Sequence, residues 1–297
     1  IFTSENSVES NLEFIVDGVI ELNYEFMEEV RIRRLFLKKL RGIPIKRSLY
    51  FFTLKDRVLH CFDSYDPRRF KIYNTTENIL KVTGFSKEIL QTGYQDLDRY
   101  LGNLPHGALI TIEKVNTISD DIIFLFLNDI LYNFSKMNYC FLLDSSIKDN
   151  MVLTVKSSIQ NYAKLYTLDR IGLTENPIGI DTNEKDVFYK NVAKVVSHLE
   201  GKEKIVSLLG SHSLEIFKSS SIDIEDFCRF VKKKFELSIL ILNSNNNLEK
   251  YSSASDIHLK FILICGTLFM KCTTPSSALF GIGAVDSVPQ IRLDHVL

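Results

Sequence analysis

The sequence has few of the features that mark membrane or secreted proteins. Its 297 residues contain no run of about 18 consecutive apolar residues, the length that a transmembrane helix needs. Residues 1–13 have neither the basic segment nor the apolar segment of a signal peptide. The chain also begins without methionine, which suggests a fragment of a longer polypeptide. We therefore expect no membrane insertion.

Cysteine and charge exclude other classes. The five cysteines are scattered, and no two have the spacing of metal ligands. Most lie in apolar or amphipathic runs, where buried thiols are expected, so a reducing cytoplasm is the predicted location. The formal net charge of -1 provides no overall field that would attract nucleic acid or an acidic membrane. Helix-turn-helix and zinc-finger patterns are absent.

The first part of the chain has the alternating pattern of β-hairpins. Strands are predicted at residues 14–22, 30–40, 48–54 and 57–62, with a turn at Asp17-Gly18 inside the first run and an acidic turn at residues 25–29. A unit of this size cannot bury a sufficient core alone, so we expect it to pack on another part of the chain. Residues 64–72 are predicted to be a linker.

Later residues alternate between strand and helix patterns. A helix at residues 93–101 precedes a central strand at 108–112, a polar loop at 113–121 and an apolar helix at 122–131. Further strands are predicted at 139–143, 204–209 and 237–242, and further helices at 152–166, 186–199 and 223–235. The run at 237–242 is continuously apolar, as in a strand buried on both faces of a parallel sheet. Residues 257–264, 267–271 and 279–285 are predicted to close the sheet as antiparallel strands. The pattern predicts a three-layer α/β fold with a mostly parallel sheet and antiparallel C-terminal hairpins, preceded by a β-hairpin unit.

Three segments resemble parts of KaiC-like ATPases of the RecA superfamily. Residues 93–102 (GYQDLDRYLG) with 104–113 (LPHGALITIE) are similar to the segment that leads into the phosphate-binding loop of that family. Residues 14–22 (FIVDGVIEL) with 39–42 (KLRG) are similar to its C-terminal hairpin, and residues 255–280 look like a divergent copy of the same hairpin. The resemblance implies a RecA-like fold. It also implies three regions: a β-hairpin tail of an upstream RecA-like domain at 1–63, a linker with short helices at 64–92, and a degenerate RecA/KaiC-like domain at 93–297.

The phosphate-binding loop of the family is degenerate here. Such a loop needs glycines so that backbone N–H groups converge on phosphate, together with a lysine and a hydroxyl. The loop here contains no glycine, and acids take the places of the lysine and the hydroxyl. Each carboxylate facing a phosphate charge at roughly 4 Å would cost about 4 kcal/mol at an effective dielectric near 20. The alternative interpretation is that the two acids complement the N-terminus of the following helix. The degenerate loop comprises Lys114, Asn116, Thr117, Ser119, Asp120 and Asp121.

The strand expected to carry a magnesium-orienting acid is also altered. The sequence at 204–211 (KIVSLLGS) ends in Gly210, where an aspartate is expected, and only Ser211 keeps a small hydroxyl. Asp144 is a candidate for one catalytic acid, although helix or loop capping is the alternative role. His212 is interpreted as a structural residue. We therefore predict no catalytic residue, metal site or cofactor in this chain.

The KLRG segment keeps the residues that the family uses at ring interfaces. In that family the lysine and arginine contact the nucleotide phosphates of a neighbouring subunit, which assigns this role to Lys39 and Arg41. The alternative is a solvated basic edge strand that discourages edge pairing. The nucleotide, ATP with magnesium, would then belong to an upstream domain. The C-terminal hairpin has no such pair, because residues 270–273 (MKCT) take its place.

These observations support three hypotheses. The first is a catalytically inactive RecA/KaiC-like domain that acts in assembly, as a homo-oligomer or with a protein partner. The second is part of an ATPase whose active loop lies upstream. The third is single-stranded nucleic-acid binding by basic residues beside aromatic ones. The basic residues are Arg31, Arg33, Arg34, Lys38, Lys39, Arg41, Lys46 and Arg47, and the aromatic residues are Tyr50, Phe51 and Phe52.

Overall fold

The computed structural model describes residues 12–27, 29–70, 90–137, 139–144, 165–169, 172–173, 185–199, 204–210, 214, 217, 221–243, 248–285 and 291–296. Within these ranges, no helix has both the length and the apolar character needed to cross a membrane. The structure is a mixed α/β fold with a mostly parallel central sheet and antiparallel hairpins.

The N-terminal part forms a four-stranded antiparallel sheet in the order β1-β2-β3-β4. A short helix, α1 (Leu12–Ile15), precedes it, and a 3-10 turn at Lys55–Arg57 joins its last two strands. The strands are β1 (Gly18–Met27), β2 (Val30–Leu40), β3 (Leu49–Thr53) and β4 (His60–Cys61).

Two predictions about this sheet were wrong. Asp17-Gly18 does not join two strands, because helix α1 precedes it and β1 follows it. The acidic turn predicted at 25–29 is also displaced, since β1 continues to Met27. Glu25 lies in the strand, paired with Ile32 of β2, and its side chain forms an ion pair with Arg34.

The remaining elements alternate along the chain around a ten-stranded sheet. The helices are α2 (Gln95–Leu101), α3 (Asp120–Lys136), α4 (Lys185–Leu199), α5 (Ser221–Lys234) and α6 (Leu248–Ala254). The strands are β5 (Ala108–Lys114), β6 (Tyr139–Asp144), β7 (Leu165–Asp169), β8 (Gly172–Leu173), β9 (Lys204–Leu209), β10 (Leu237–Asn243), β11 (Ile257–Ile264), β12 (Thr267–Thr274), β13 (Ala278–Ala284) and β14 (Ile291–His295).

The order of this sheet is β14-β13-β12-β11-β5-β10-β9-β6-β7-β8. The six strands from β11 to β7 pair in parallel, and strand pairs at both ends are antiparallel. Strand β10 is buried between two parallel neighbours, as its apolar run predicted. One prediction needs correction: β11 is antiparallel to β12 but parallel to β5, so it is the last parallel strand of the sheet.

Three further differences concern the ends of elements. The helix predicted at 152–166 lies mostly outside the described residues, and its last two residues belong to strand β7. Strand β14, which was not predicted, pairs with β13 at the edge of the sheet. The predicted linker at 64–72 contains a 3-10 turn at Pro67–Phe70, whose last residue is buried in the core beside α3.

The core lies on both faces of the large sheet. Helix α3 packs on one face and is buried along most of its length. Tyr94, which precedes α2, stacks on Phe126, and the Pro67–Phe70 turn also contacts the helix. Helices α4, α5 and α6 cover the other face. These two layers and the sheet give the three-layer arrangement that the alternation predicted.

A third apolar cluster joins the small sheet to the large one. Phe51 and Phe62 pack edge-on against Phe269 of β12, with ring centroids 5.3 and 5.7 Å apart. A Cβ atom on Gly281 would lie 2.2 Å from the Phe62 ring, so only glycine leaves room for this contact. The hairpin unit therefore packs on the rest of the chain, as its small size required.

Candidate functional site

The candidate site lies where strands β5, β10 and β9 end. Strand pairing places Ile112 beside Ile241, and Leu209 beside Leu240 of the strand between them. Because these strands are parallel, the loop after β5 and Gly210 both lie at the C-terminal ends of the strands. They are two interstrand spacings apart, which is about 9.6 Å. The fold thus places the predicted loop and the predicted strand end on the same side of the sheet, at the C-terminal ends of its parallel strands.

The loop after β5 is closed by contacts of its own side chains. Lys114 Nζ lies 3.0 Å from a carboxylate oxygen of Asp120, and it donates a hydrogen bond of 3.2 Å to the carbonyl of Ile118. Only 12% of the Lys114 side chain is exposed. The lysine therefore ties the two ends of the loop together, and its charge is compensated within the loop.

Backbone groups of the loop also have partners within the protein. The amide of Ser119 donates to the hydroxyl of Tyr65 at 3.1 Å, and the amide of Ile118 donates to the carbonyl of Val115 at 3.0 Å. The Ser119 hydroxyl caps α3 by accepting from the amide of Asp121 at 3.2 Å. Amides that would face phosphate in a phosphate-binding loop are thus used to hold this loop in place.

The remaining loop residues have separate roles. Asp120 and Asp121 lie in the first turn of α3, where carboxylates interact favourably with the helix dipole. Asn116 and Thr117 are exposed at the tip of the loop. This placement agrees with the interpretation of the two acids as residues that complement a helix terminus.

Glu113, the residue that precedes the loop, lies in a polar cluster that the sequence did not indicate. Its buried carboxylate is 2.9 Å from Lys260 Nζ and 3.4 Å from His258 Nε2. His258 Nδ1 in turn lies 2.7 Å from the Thr273 hydroxyl. The nearby His258 and Lys260 lower the pKa of Glu113 despite its burial, so the carboxylate is held charged. These partners come from β11 and β12, and no local pattern connects them with Glu113.

Asp144 at the end of β6 is tied to the neighbouring strand end. It is buried, and its carboxylate accepts a hydrogen bond of 3.1 Å from the amide of Gly210. This contact joins the ends of β6 and β9, and both roles considered for Asp144 stay predictions. Ser211 and His212 lie outside the described residues, so the second half of the predicted strand end has no structural description.

Lys39 and Arg41 lie on the small sheet, at the end of β2. Lys39 Nζ donates to the carbonyl of Phe14 at 3.4 Å, and Arg41 forms an ion pair of 3.3 Å with Asp17. Both ends of the Arg41–Asp17 pair are largely exposed. The pair therefore connects the KLRG turn to the residue that precedes β1.

The other basic residues of the hairpin do not share one face. Arg34 and Lys38 form ion pairs with Glu25 and Glu21 on β1. Arg47 reaches the large sheet, where it donates to the Thr267 hydroxyl at 2.7 Å. Lys46 belongs to the turn before β3.

The neighbouring aromatic residues are mostly buried. Phe51 and Phe52 are in the core, and only Tyr50 is partly exposed, beneath the guanidinium of Arg47. Base stacking by these three aromatics would thus be limited to Tyr50.

The described part of the chain contains no group of three or more His, Cys, Asp or Glu side chains arranged to hold a metal ion. Its five cysteines are free thiols, and burial raises the pKa of Cys228 to about 11 and that of Cys272 to about 12. These buried thiols remain protonated near neutral pH, which makes them poor nucleophiles and metal ligands.

Comparison with known proteins gives two similarities. No protein-family model matches the chain. The whole chain aligns at 23% identity with protein GvpD2 of Halobacterium salinarum, over 331 residues and 65% of the length of that protein. Protein GvpD1 of the same organism is 32% identical over 133 residues, which cover 41% of this chain and 23% of GvpD1. The chain thus spans less than two thirds of each of these curated relatives and is similar to both.

Proposed function

We propose that residues 93–297 form a degenerate RecA/KaiC-like domain that has lost nucleotide hydrolysis and acts in assembly or partner docking. The observation that carries this proposal is the closed loop after β5, in which Lys114 is paired with Asp120 and bonded to Ile118. A polyphosphate would have to displace these contacts and approach two carboxylates of α3. The order of the parallel strands supports the proposal, because it brings this loop and Gly210 to one sheet edge.

The experiment is a titration of the 297-residue chain with ATP and Mg²⁺, followed by calorimetry and by fluorescence of a labelled ATP analogue. We expect no saturable binding up to about 1 mM, which corresponds to a binding free energy weaker than about -4 kcal/mol. A matched variant, Lys114→Met, opens the Lys114–Asp120 tie without adding a phosphate ligand and should not bind ATP either. Saturable binding in the micromolar range would contradict the proposal.

A second candidate function follows from the exposure of the KLRG turn. Arg41 is mostly solvent-exposed, and Lys39 lies two residues before it at the end of β2. Arg41 is therefore accessible to the nucleotide of a neighbouring ATPase subunit, and Lys39 would have to release the carbonyl of Phe14 to reach it. This function predicts that the natural polypeptide, purified from its host, hydrolyses ATP and that Lys39→Ala with Arg41→Ala lowers the rate at least tenfold.

The control for that experiment is Lys250→Ala, which removes an exposed cation from α6. Unfolding curves of all variants establish that the fold is retained. Equal rates for the control and the KLRG double variant would exclude the trans-acting role.

Single-stranded nucleic-acid binding remains a third proposal. Neutralising Arg31 and Arg33 should remove the salt-dependent part of the binding affinity.

A further inference from the structure

The N-terminal hairpin β1–β2 and the C-terminal hairpin β11–β12 are built alike. Each begins after an aspartate, Asp17 or Asp256, and each first strand carries a register shift two residues into its length. The shift lies between Val19 and Ile20 in β1. It lies between His258 and Leu259 in β11. A β-bulge at the same position in two hairpins of one chain indicates a structural repeat.

The shared bulge aligns the two hairpins residue by residue. Ile20, Leu22 and Tyr24 of β1 correspond to Leu259, Phe261 and Leu263 of β11. On the second strands, the same register places Thr274 at the position of Lys39. The C-terminal counterpart of the KLRG segment is therefore residues 274–277, rather than the residues 270–273 inferred from sequence.

The corresponding faces of the two hairpins differ in what covers them. On β11, Leu259 and Phe261 are fully buried, and the Phe261 ring contacts Phe126 of α3 at 5.5 Å. Strand β5 also pairs in parallel with the edge of β11 that faces away from β12. On β1, side chains on the corresponding face are between 54% and 65% exposed. These exposed residues are Ile20, Leu22, Tyr24 and Phe26.

The edge of β1 is also open in the described structure. Strand β1 is the first strand of its sheet, and its described partner is β2. A ten-residue edge strand with alternating apolar side chains and no proline is a ready surface for strand addition. The exposed face and the open edge therefore coincide on one strand.

Two arginines of β2 also lie on this face, and they set a requirement that its partner must meet. Arg33 and Arg31 lie opposite Tyr24 and Phe26, and Arg31 stacks over the Tyr24 ring at 4.1 Å. Among the described residues, Nη1 of Arg33 is buried without a hydrogen-bond acceptor. By contrast, Glu21 and Glu25 on the opposite face neutralise Lys38 and Arg34. The Arg33 nitrogen is closed to solvent, so a partner that covers this face must bring its acceptor, such as a carboxylate, to the exposed Arg31 beside it.

We propose that β1 is the docking surface for an α/β unit, which adds a parallel apolar strand to the edge of β1 and packs an apolar helix on Ile20, Leu22 and Tyr24. The helix carries a carboxylate that reaches Arg31. This arrangement repeats the way in which β5 and α3 cover β11. A second copy of the chain fits less well, because face-to-face packing would bring its own Arg31 and Arg33 against the same two cations. The inference rests on the docking role proposed above and gives that role a surface and a partner class.

The test is photo-crosslinking in the natural polypeptide, expressed in its own host with any residues that flank the chain. Tyr24→benzoylphenylalanine probes the β1 face, and Leu263→benzoylphenylalanine is the matched control on β11. The control should form adducts with α3. The probe should form adducts with an apolar helix of an α/β unit outside the 297 residues, identified by mass spectrometry of the crosslinked peptides.

Two further variants make the result specific. Leu22→Lys introduces a charge on the docking face and should reduce the adduct at position 24 at least fivefold. Asn23→Lys introduces the same charge on the opposite face and should leave it unchanged. Adducts only with a second copy or with the chain's own residues, or no adduct when position 263 reacts, would overturn the inference. ATP binding by the chain would instead overturn the proposed loss of nucleotide hydrolysis without changing this result.

Discussion

The N-terminal and C-terminal hairpins show how one strand pattern has two outcomes. Leu259 and Phe261 of β11 are fully buried, whereas the corresponding residues of β1, Ile20 and Leu22, face solvent in the described structure. Both strands alternate, and both keep the bulge at the same position. The difference therefore lies in the neighbours and not in the hairpins, and it supports the docking role proposed for β1.

The largest expected effect compares two equivalent apolar positions. Phe261→Ala removes a fully buried ring that contacts Phe126, and it should lower the free energy of unfolding by about 3–5 kcal/mol. Leu22→Ala, at the equivalent position of β1, should change it by less than about 0.5 kcal/mol, because that side chain is 54% exposed. Urea unfolding of the chain measures both values. Similar losses for the two variants would mean that β1 is already covered.

The next largest change in the free energy of unfolding is expected at the junction between the two sheets. Gly281→Ala places a methyl group against the Phe62 ring and should lower the free energy of unfolding by about 1–3 kcal/mol. Gly283→Ala is the matched control, since its nearest neighbour, Arg292, would lie 3.6 Å from the new methyl group. In a Phe62→Ala background the cost of Gly281→Ala should shrink, because the clashing ring is gone. An unchanged cost there would contradict the proposed contact.

A smaller effect concerns pH at the same junction. Burial lowers the pKa of His295, and Lys55 lowers it further, although Asp96 opposes them. The unfolded chain therefore binds a proton at this histidine more readily than the folded chain. Stability should fall as the pH drops through about 6.5, the ordinary pKa of histidine, towards the lower folded value.

The variant His295→Gln should flatten the loss of unfolding free energy between pH 7 and pH 5. His106→Gln, which removes a histidine with a mostly exposed side chain, serves as the control. Thermal unfolding at a series of pH values compares the three proteins. A slope that is the same in His295→Gln as in the unmodified chain would show that another group titrates.

Local patterns predicted most elements of the large sheet. The continuous apolar run of β10 gave a strand buried on both faces, and the alternation of β and α patterns gave three layers. The start of α3 was placed two residues late, because the Ser119 cap was not recognised ahead of Asp120 and Asp121. Boundary errors of this kind arise because polar capping residues have no apolar period.

Long-range contacts could not be predicted in the same way. The sequence pattern placed Glu113 in the loop after the central strand, whereas β5 continues to Lys114. Its contacts with His258 and Lys260 depend on the parallel pairing of β5 with β11. Likewise, the contact of Tyr65 with the amide of Ser119 joins a predicted linker to the candidate loop. These contacts are set by topology, which a single sequence pattern does not specify.

The most direct measurement of the central comparison is amide hydrogen exchange of the chain, resolved by residue across both hairpins. We predict that residues 259–261 of β11 exchange close to the rate set by global unfolding, because strands flank them on both sides. Amides of β1 that point away from β2 should exchange at least a hundredfold faster. Equal protection of the two strands would contradict the claim that β1 is an open surface.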